Sequence, residues 1–453
     1  MRAFAIGVHW IRYNRDAIAT LMISPRPWKR FTLFALLGLM LSLLISCAPG
    51  PSSSESDDGR AEVEFWTMQL QPEYNDYFNE VIETFESENP ELKIRWVDVP
   101  WSAMQTRILS AVSANKAPDV VNLNPDFASQ LASQDAWLNL NDKISEEVRS
   151  QYLPNIWKAT TLGDKSFGFP WYLTSRIAIY NEDLLEQAGV DKPPTTYAEL
   201  AQVAKQVKEK TGKYAFFVTA VPEDSGELLE SFVQMGVELL DDQGKAAFNS
   251  PEGKAAFQYW TDLYQQGLLP PEVITEGHRQ AVQLYQSGQA AILTSSPQFL
   301  KSISTNAPDI AKVSVPAPQI SGESGKTNVA AMNLLVPSGT DQPEAALKFA
   351  QFVTNPENQL TFAKAANVLP STQSSLADPY FSEVPTDASA LDKGRVISAS
   401  QMETAEVLIP VVEDVKKLQK IIYTNLQEAM LDKKSVDQAV ADAEKEWNQE
   451  VSG

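Results

Sequence analysis

The side chains that most often carry catalysis are scarce in this chain. There are two histidines, His9 and His278, and one cysteine, Cys47, among 453 residues. His9 stands in a leading stretch rich in arginine and apolar residues, so His278 is the one imidazole available to the rest of the chain. A Ser-His-Asp triad would have to be built on it, and a zinc ion there would have to be completed by carboxylates, which is not zinc's preferred ligand set. A lone histidine near a helix start more often packs than reacts. No cofactor and no metal site are therefore expected. Carboxylates are the opposite case: beyond residue 46 the chain carries 57 Asp and Glu against 31 Lys and Arg. A glycosidase-type pair about 5–9.5 Å apart could be drawn from such a pool, but the acids stand in no motif of that chemistry. The acidity itself implies a solvated surface that repels nucleic acid and anionic headgroups.

Cys47 cannot form an intrachain disulfide, and its position suggests another use. The positive cluster "RPWKR" (26–30) leads into a mostly apolar run, Phe31 to Ser46, which is followed by acidic and turn-forming residues. That order is the n-region and h-region of a signal peptide, and the run is shorter than the ~20 residues of a membrane span. The join, "LISC", resembles the bacterial lipoprotein cleavage box, in which the cysteine thiol is alkylated with diacylglycerol and becomes the new N-terminus. A thiolate is a suitable nucleophile for that link, and buried acyl chains at ~0.8 kcal/mol per CH₂ hold a protein to a surface. The expectation is a signal peptide over 1–46, its true start at Met22, then a lipidated Cys47 and a flexible tether over 47–60.

The elements that would position a site begin at residue 61. "AEVEFWTM" and "LKIRWV" alternate apolar and polar residues as strands do, and between them Tyr74, Tyr77, Phe78, Val81, Ile82 and Phe85 recur at helical spacing. Strand, helix, strand is the unit of a parallel sheet. "SAMQ" (102–105) has the spacing of a capping box. "VVNL" reads as a short buried strand, with Asp126 just beyond its C-terminal end, where open α/β sheets bind ligands. Arg176 to Tyr180 reads as a further strand, "TYAE" (196–199) as a helix cap, and Pro251, Pro343 and Pro356 as first helical residues. From Glu403 to Val451 the pattern is helical, with a break near "DKKS". The whole reads as α/β.

The segments "FNEVIETFESENPELKI", "APDVV", "GFPWYLTSRIAIYNEDLLEQAGV", "FNSPEGKAAFQYWTDLYQQGLL", "LYQSGQAAILTSSPQFL", "ALKFAQFVTNPENQ" and "NVLPS" resemble, in order, those of the sugar-binding extracellular solute-binding proteins that serve ABC importers, a group that includes the maltose-binding protein. The resemblance implies a two-lobed, type II-like periplasmic-binding-protein fold, each lobe a doubly wound sheet with flanking helices. It puts one lobe at 61–172 plus 334–368 and the other at 173–333 plus 369–453, with crossings near Leu173 to Arg176, Thr327 to Asn333 and Val368 to Ser374. It implies a non-enzyme: a lipid-anchored monomer on the extracytoplasmic face that captures a neutral sugar, oligosaccharide or glycosylated polyol and delivers it to the permease's transmembrane subunits. A secreted glycoside-acting enzyme, or a module for chemoreception or adhesion, is the alternative. Carried over by position, the substrate-binding residues are Trp66, Gln69, Asp126, Trp171, Tyr172, Thr174, Glu227, Ser296, Gln298 and Asn333. Thr174 stands where relatives often have an acid, and Gln298 where maltose-type relatives carry an aromatic. Aromatic faces suit the C–H-rich faces of a sugar ring, with polar groups bonding hydroxyls at its edge. Arg176 is expected to form an ion pair on a hinge strand.

Overall fold

The computed structural model describes residues 59–132, 135–222, 224–409 and 415–451, apart from the side chains of Asp126 and Ser129. Cys47, the signal segment and the tether lie outside the described residues. Among the described residues no helix is long and apolar enough to cross a membrane.

Twelve strands follow in chain order: β1 (Ala61–Met68), β2 (Leu92–Val99), β3 (Val120–Leu123), β4 (Thr161–Leu162), β5 (Lys165–Ser166), β6 (Phe169–Ser175), β7 (Ile177–Asn181), β8 (Ile292–Ser295), β9 (Ser314–Pro318), β10 (Thr327–Leu335), β11 (Leu369–Pro370) and β12 (Ala405–Glu406). The first lobe is built on a sheet in the order β11-β6-β10-β3-β1-β2, with β12 against β10. β1 pairs in parallel with β2 and β3, as the strand–helix–strand reading predicts. β10 enters antiparallel to both β3 and β6, so the sheet is mixed. The second lobe carries the antiparallel sheet β8-β7-β9.

Two sets of buried side chains mark the lobes. Phe65, Phe78, Phe85, Trp171 and Phe349 belong to a core under the first sheet, extended on its other side by Met104, Leu123 and Trp137. Ile179, Phe232, Trp260, Tyr285 and Trp447 belong to the second core. The helix Asn75–Glu88 buries the predicted stripe of Tyr77, Phe78, Val81 and Phe85. Each such side chain is worth about 1.5–3 kcal/mol of burial.

Strand membership moves two of the expected crossings. The first falls at Arg176, the one residue between β6 and β7. The second lies within 319–326, because the expected segment Thr327 to Asn333 is already paired in the first sheet. The last return to the first sheet is as late as β12: Leu369, Phe381, Met402 and Ala405 join the first core, while the helix Ala390–Ser400 between them packs through Ala390, Leu391 and Ile397 against the second. The chain then ends in the paired helices Val415–Met430 and Val436–Val451 on the second lobe. Glu403 is not helical in the expected sense but closes a short 3-10 turn before β12, and the described part of the helix is Val415–Met430.

Candidate functional site

The candidate site is a cleft between the lobes, built where the strands of the first sheet run out. At the end of β1 the backbone turns at Gln69, whose φ of 53° is left-handed. Asp98 holds the turn: its carboxylate accepts hydrogen bonds from the Leu70 N–H (2.9 Å), the Gln71 N–H (3.2 Å) and the Thr67 hydroxyl (2.7 Å). Pro100 follows β2 in extended geometry and starts the helix Trp101–Ser113. The Trp101 N–H donates to Gln69 Oε1 at 3.3 Å. The capping box expected at "SAMQ" is thus absent: the helix opens two residues earlier, with Pro100 in the cap position, and Ser102 is already inside it.

Two chambers meet here. One, of about 380 Å³, is walled by Gln69, Tyr74, Trp101, Tyr172, Phe362 and, from the second lobe, Gln298. The other, of about 440 Å³, is walled by Asn124, Phe127 and Asn328 of the first lobe and by Asp224, Glu230, Lys416 and Gln419 of the second. Trp101, Thr174 and Met332 line both. Trp101 is 46% exposed and presents its ring to the open space. The lobes touch at the rim, where Gln298 Nε2 donates to the Ala366 carbonyl at 3.0 Å, a carbonyl at the end of the helix Pro356–Ala366. Lys416 lies over the Phe127 ring at 5.6 Å, a second contact across the cleft.

Of the ten residues put forward from sequence, Gln69, Tyr172, Thr174 and Gln298 come together on this cleft. Ser296 lines a small crevice beside the crossings, shared with Thr174 and Gln298. Asp126 lies in the first turn of the helix Pro125–Ala132, beside the chamber; its side chain is outside the described residues. The cap of that helix is Asn124, whose Oδ1 accepts from the Phe127 N–H at 2.9 Å.

Trp171, Asn333 and Trp66 are placed elsewhere. Side chains alternate along a strand, so Tyr172 and Thr174 face the cleft and Trp171 faces away. It is 0% exposed and stacks on Phe362 with centroids 4.8 Å apart. Asn333 follows cleft-facing Met332 in β10 and is 2% exposed, its Nδ2 donating to the Ala331 carbonyl at 2.9 Å. Trp66 is 5% exposed, lies under the Arg107 guanidinium at 4.1 Å, and donates from Nε1 to Glu64 Oε1 at 2.5 Å. The chain runs on to Met68 and Gln69 before it reaches the cleft.

Glu227 faces the inside of the second lobe. It lines an interior cavity with Arg176, Glu230, Gln234 and Thr294. Arg176 pairs with Glu230 at 3.3 Å, the expected hinge-strand ion pair. Burial works against the charged guanidinium, but the carboxylates of Glu230 and Glu227 outweigh it and raise its pKa. Glu227 has the weaker share of that cation. Burial, with Glu230 as a second carboxylate, outweighs Arg176 and pushes its pKa up to about 7. Its Oε2 lies 3.8 Å from His278 Nδ1. That contact is not an ion pair at neutral pH, because burial and then the Arg176 charge pull the His278 pKa down to about 4. Among the described residues no group of three or more His, Cys, Asp or Glu side chains is placed to share a metal ion.

Trp101, Tyr74, Phe362 and the charged wall of Asp224, Glu230 and Lys416 were not singled out by the sequence reading. Trp101 had a local signal: a proline and a tryptophan directly after an alternating strand, at the ligand-binding end of an α/β sheet. Phe362 and Lys416 had none, since both lie far along the chain on ordinary amphipathic helices.

Two α/β lobes around an aromatic, hydroxyl- and amide-lined cleft define a solute-binding protein. Residues 71–360 match the family model described as bacterial extracellular solute-binding protein, and the chain belongs to that family. Its members bind rather than turn over their ligands. A periplasmic-binding protein of Synechococcus sp. MITs9220, provisionally named for oligosaccharides, is 45% identical, with a TM-score of 0.80 over 86% of this chain and 99% of that one. A structure of that protein in complex with zinc is also similar, at 46% identity and a TM-score of 0.79. The arabinooligosaccharide-binding protein of Halalkalibacterium halodurans is 26% identical over 65% of this chain and 67% of its own.

Proposed function

We propose that this chain is the lipid-anchored substrate-binding protein of an ABC importer and that its cargo is a neutral oligosaccharide or glycosylated polyol. The observation that carries the cargo class is the pair of chambers joined at the half-exposed Trp101 ring. An aromatic face between two pockets edged by amides and hydroxyls, the second also by Asp224, Glu230 and Lys416, suits a ligand of more than one ring. The names of the relatives from Synechococcus and Halalkalibacterium support the same class. A ligand that touches both lobes stabilises the closed form by its differential affinity, and the permease reads that form. Cys47 holds the protein to the outer face of the plasma membrane as a monomer.

The test is a thermal-shift screen over mono-, di- and trisaccharides, polyols, sugar acids and amino acids, with and without zinc chloride. A tight ligand raises the melting temperature by mass action. The expected result is a larger shift with oligosaccharides than with monosaccharides. A shift confined to amino acids or to sugar acids would overturn the assignment.

A further inference from the structure

We infer that Gln401 is a positioning residue that couples two of the lobe crossings and so governs how the cleft opens, without touching the cleft itself. It sits in the 3-10 turn Gln401–Glu403 and is 5% exposed. Both ends of its amide are used, each on a different crossing. Nε2 donates to the Arg176 carbonyl at 3.0 Å, the single residue between β6 and β7. Oε1 accepts from the Gln319 N–H at 2.7 Å, the first residue after β9. Neither backbone group is served by a strand ladder, and a buried one left unpaired is costly, so the amide sets the spacing of the two segments.

The node extends in both directions. The Thr327 hydroxyl donates to the Gln401 carbonyl at 3.1 Å, which ties in the start of β10. Gln319 Nε2 donates to the Asn328 carbonyl at 3.2 Å. Ser175 and Ser398 share a hydroxyl hydrogen bond of 2.6 Å one turn earlier. The Leu408 N–H donates to Asn328 Oδ1 at 3.1 Å, so the outgoing third crossing is fastened to the same strand. Arg176 also carries the ion pair to Glu230 on the cleft wall, which links the node to the ligand side through one residue. Hinges are a few element-terminal residues that absorb the backbone change, and a side chain bonding two of them makes them turn together.

The experiment measures the distance between the lobes directly. Spin labels are placed on Glu83→Cys in the first lobe and Lys433→Cys in the second, both exposed, in protein whose native cysteine is removed by Cys47→Ala. Without sugar, Gln401→Ala is expected to broaden the distance distribution relative to its parent. Gln401→Glu keeps the acceptor for the Gln319 N–H but cannot donate to Arg176, and is expected to broaden it less. Ser398→Ala, which leaves Gln401 intact, gives a smaller effect still and remains informative if Gln401→Ala does not fold. A binding arm rests on the proposed function: the apparent Kd for the best sugar of the screen should weaken about three-fold or more in Gln401→Ala as the binding-competent fraction falls. Distributions that superimpose on the parent for all three variants would overturn the inference, even with a lowered melting temperature, because a merely structural residue would move only the latter. The distance arm needs no ligand, so a wrong cargo class leaves it standing.

Discussion

Glu227 and His278 are perturbed in opposite senses, and their effects on stability oppose each other. The Glu227 pKa is raised to about 7 from 4.5, so the folded protein binds this proton more tightly than the unfolded chain. Its contribution is present in full below pH 4.5 and is lost as pH rises through about 7. The His278 pKa is lowered to about 4 from 6.5, so its contribution is present above pH 6.5 and is lost as pH falls through about 4. Between the two unperturbed values the slopes cancel in part. Glu227→Gln should therefore stabilise the protein relative to wild type at pH 8 by a margin on the order of 2–3 kcal/mol that shrinks toward pH 4.5. Urea denaturation at several pH values checks this, and a margin that does not change with pH would refute the buried acid. On the cleft, Trp101→Ala removes the shared aromatic wall and should weaken sugar binding by about ten-fold or more, measured by calorimetry, with little change in melting temperature. At this scale the sequence read residue types well and orientation poorly. Trp171 reads like Tyr172 and Thr174 by residue type, but the two-residue period of the strand sends it to the core. Trp66 lies two residues short of the strand's end, where Met68 and Gln69 reach the cleft.

Elements were more legible than residues wherever a local signal closes on itself. Thr196 and Glu199 form the predicted capping box of the helix Tyr197–Thr211, and Ser250 and Asn355 cap helices that open on Pro251 and Pro356. Thr196→Ala should cost about 1 kcal/mol in urea denaturation without altering ligand affinity. The expected box at Ser102 was a false signal: Pro100 fixes the extended entry to the helix, and Gln69, thirty-odd residues earlier, supplies the acceptor for Trp101. Local spacing contains no record of such a partner. β10 was hidden for the same reason. Its neighbour β3 reads as a strand from sequence and β6 does not, and the antiparallel pairing of β10 with both is decided by tertiary fit.

At the scale of the molecule, the family segments were sufficient to give two lobes and a cleft, whereas the boundaries between the lobes depended on long-range pairing. The pairing of Thr327–Leu335 puts the second crossing earlier than the resemblance implies, and β12 brings the chain back to the first sheet later than it implies. Two outcomes belong here. Cys47→Ala should accumulate unlipidated and uncut, heavier than the processed wild type by mass spectrometry, with unchanged sugar affinity; a mutant processed and membrane-bound like wild type would refute the anchor. Binding of the best sugar should shrink the radius of gyration by small-angle scattering, since the cleft closes on its ligand.

The late return of the chain to its first sheet has a consequence for biogenesis. β1, β2 and β3 are made first, but their sheet is completed by β6, β10, β11 and β12, the last of which ends at Glu406. A chain emerging N-terminus first cannot finish this lobe until about nine-tenths of it is available, because contacts so distant in sequence are slow to form. The order of synthesis thus keeps the leading third unfinished until nearly all of the chain has emerged, which is the state in which a polypeptide can still be threaded across a membrane.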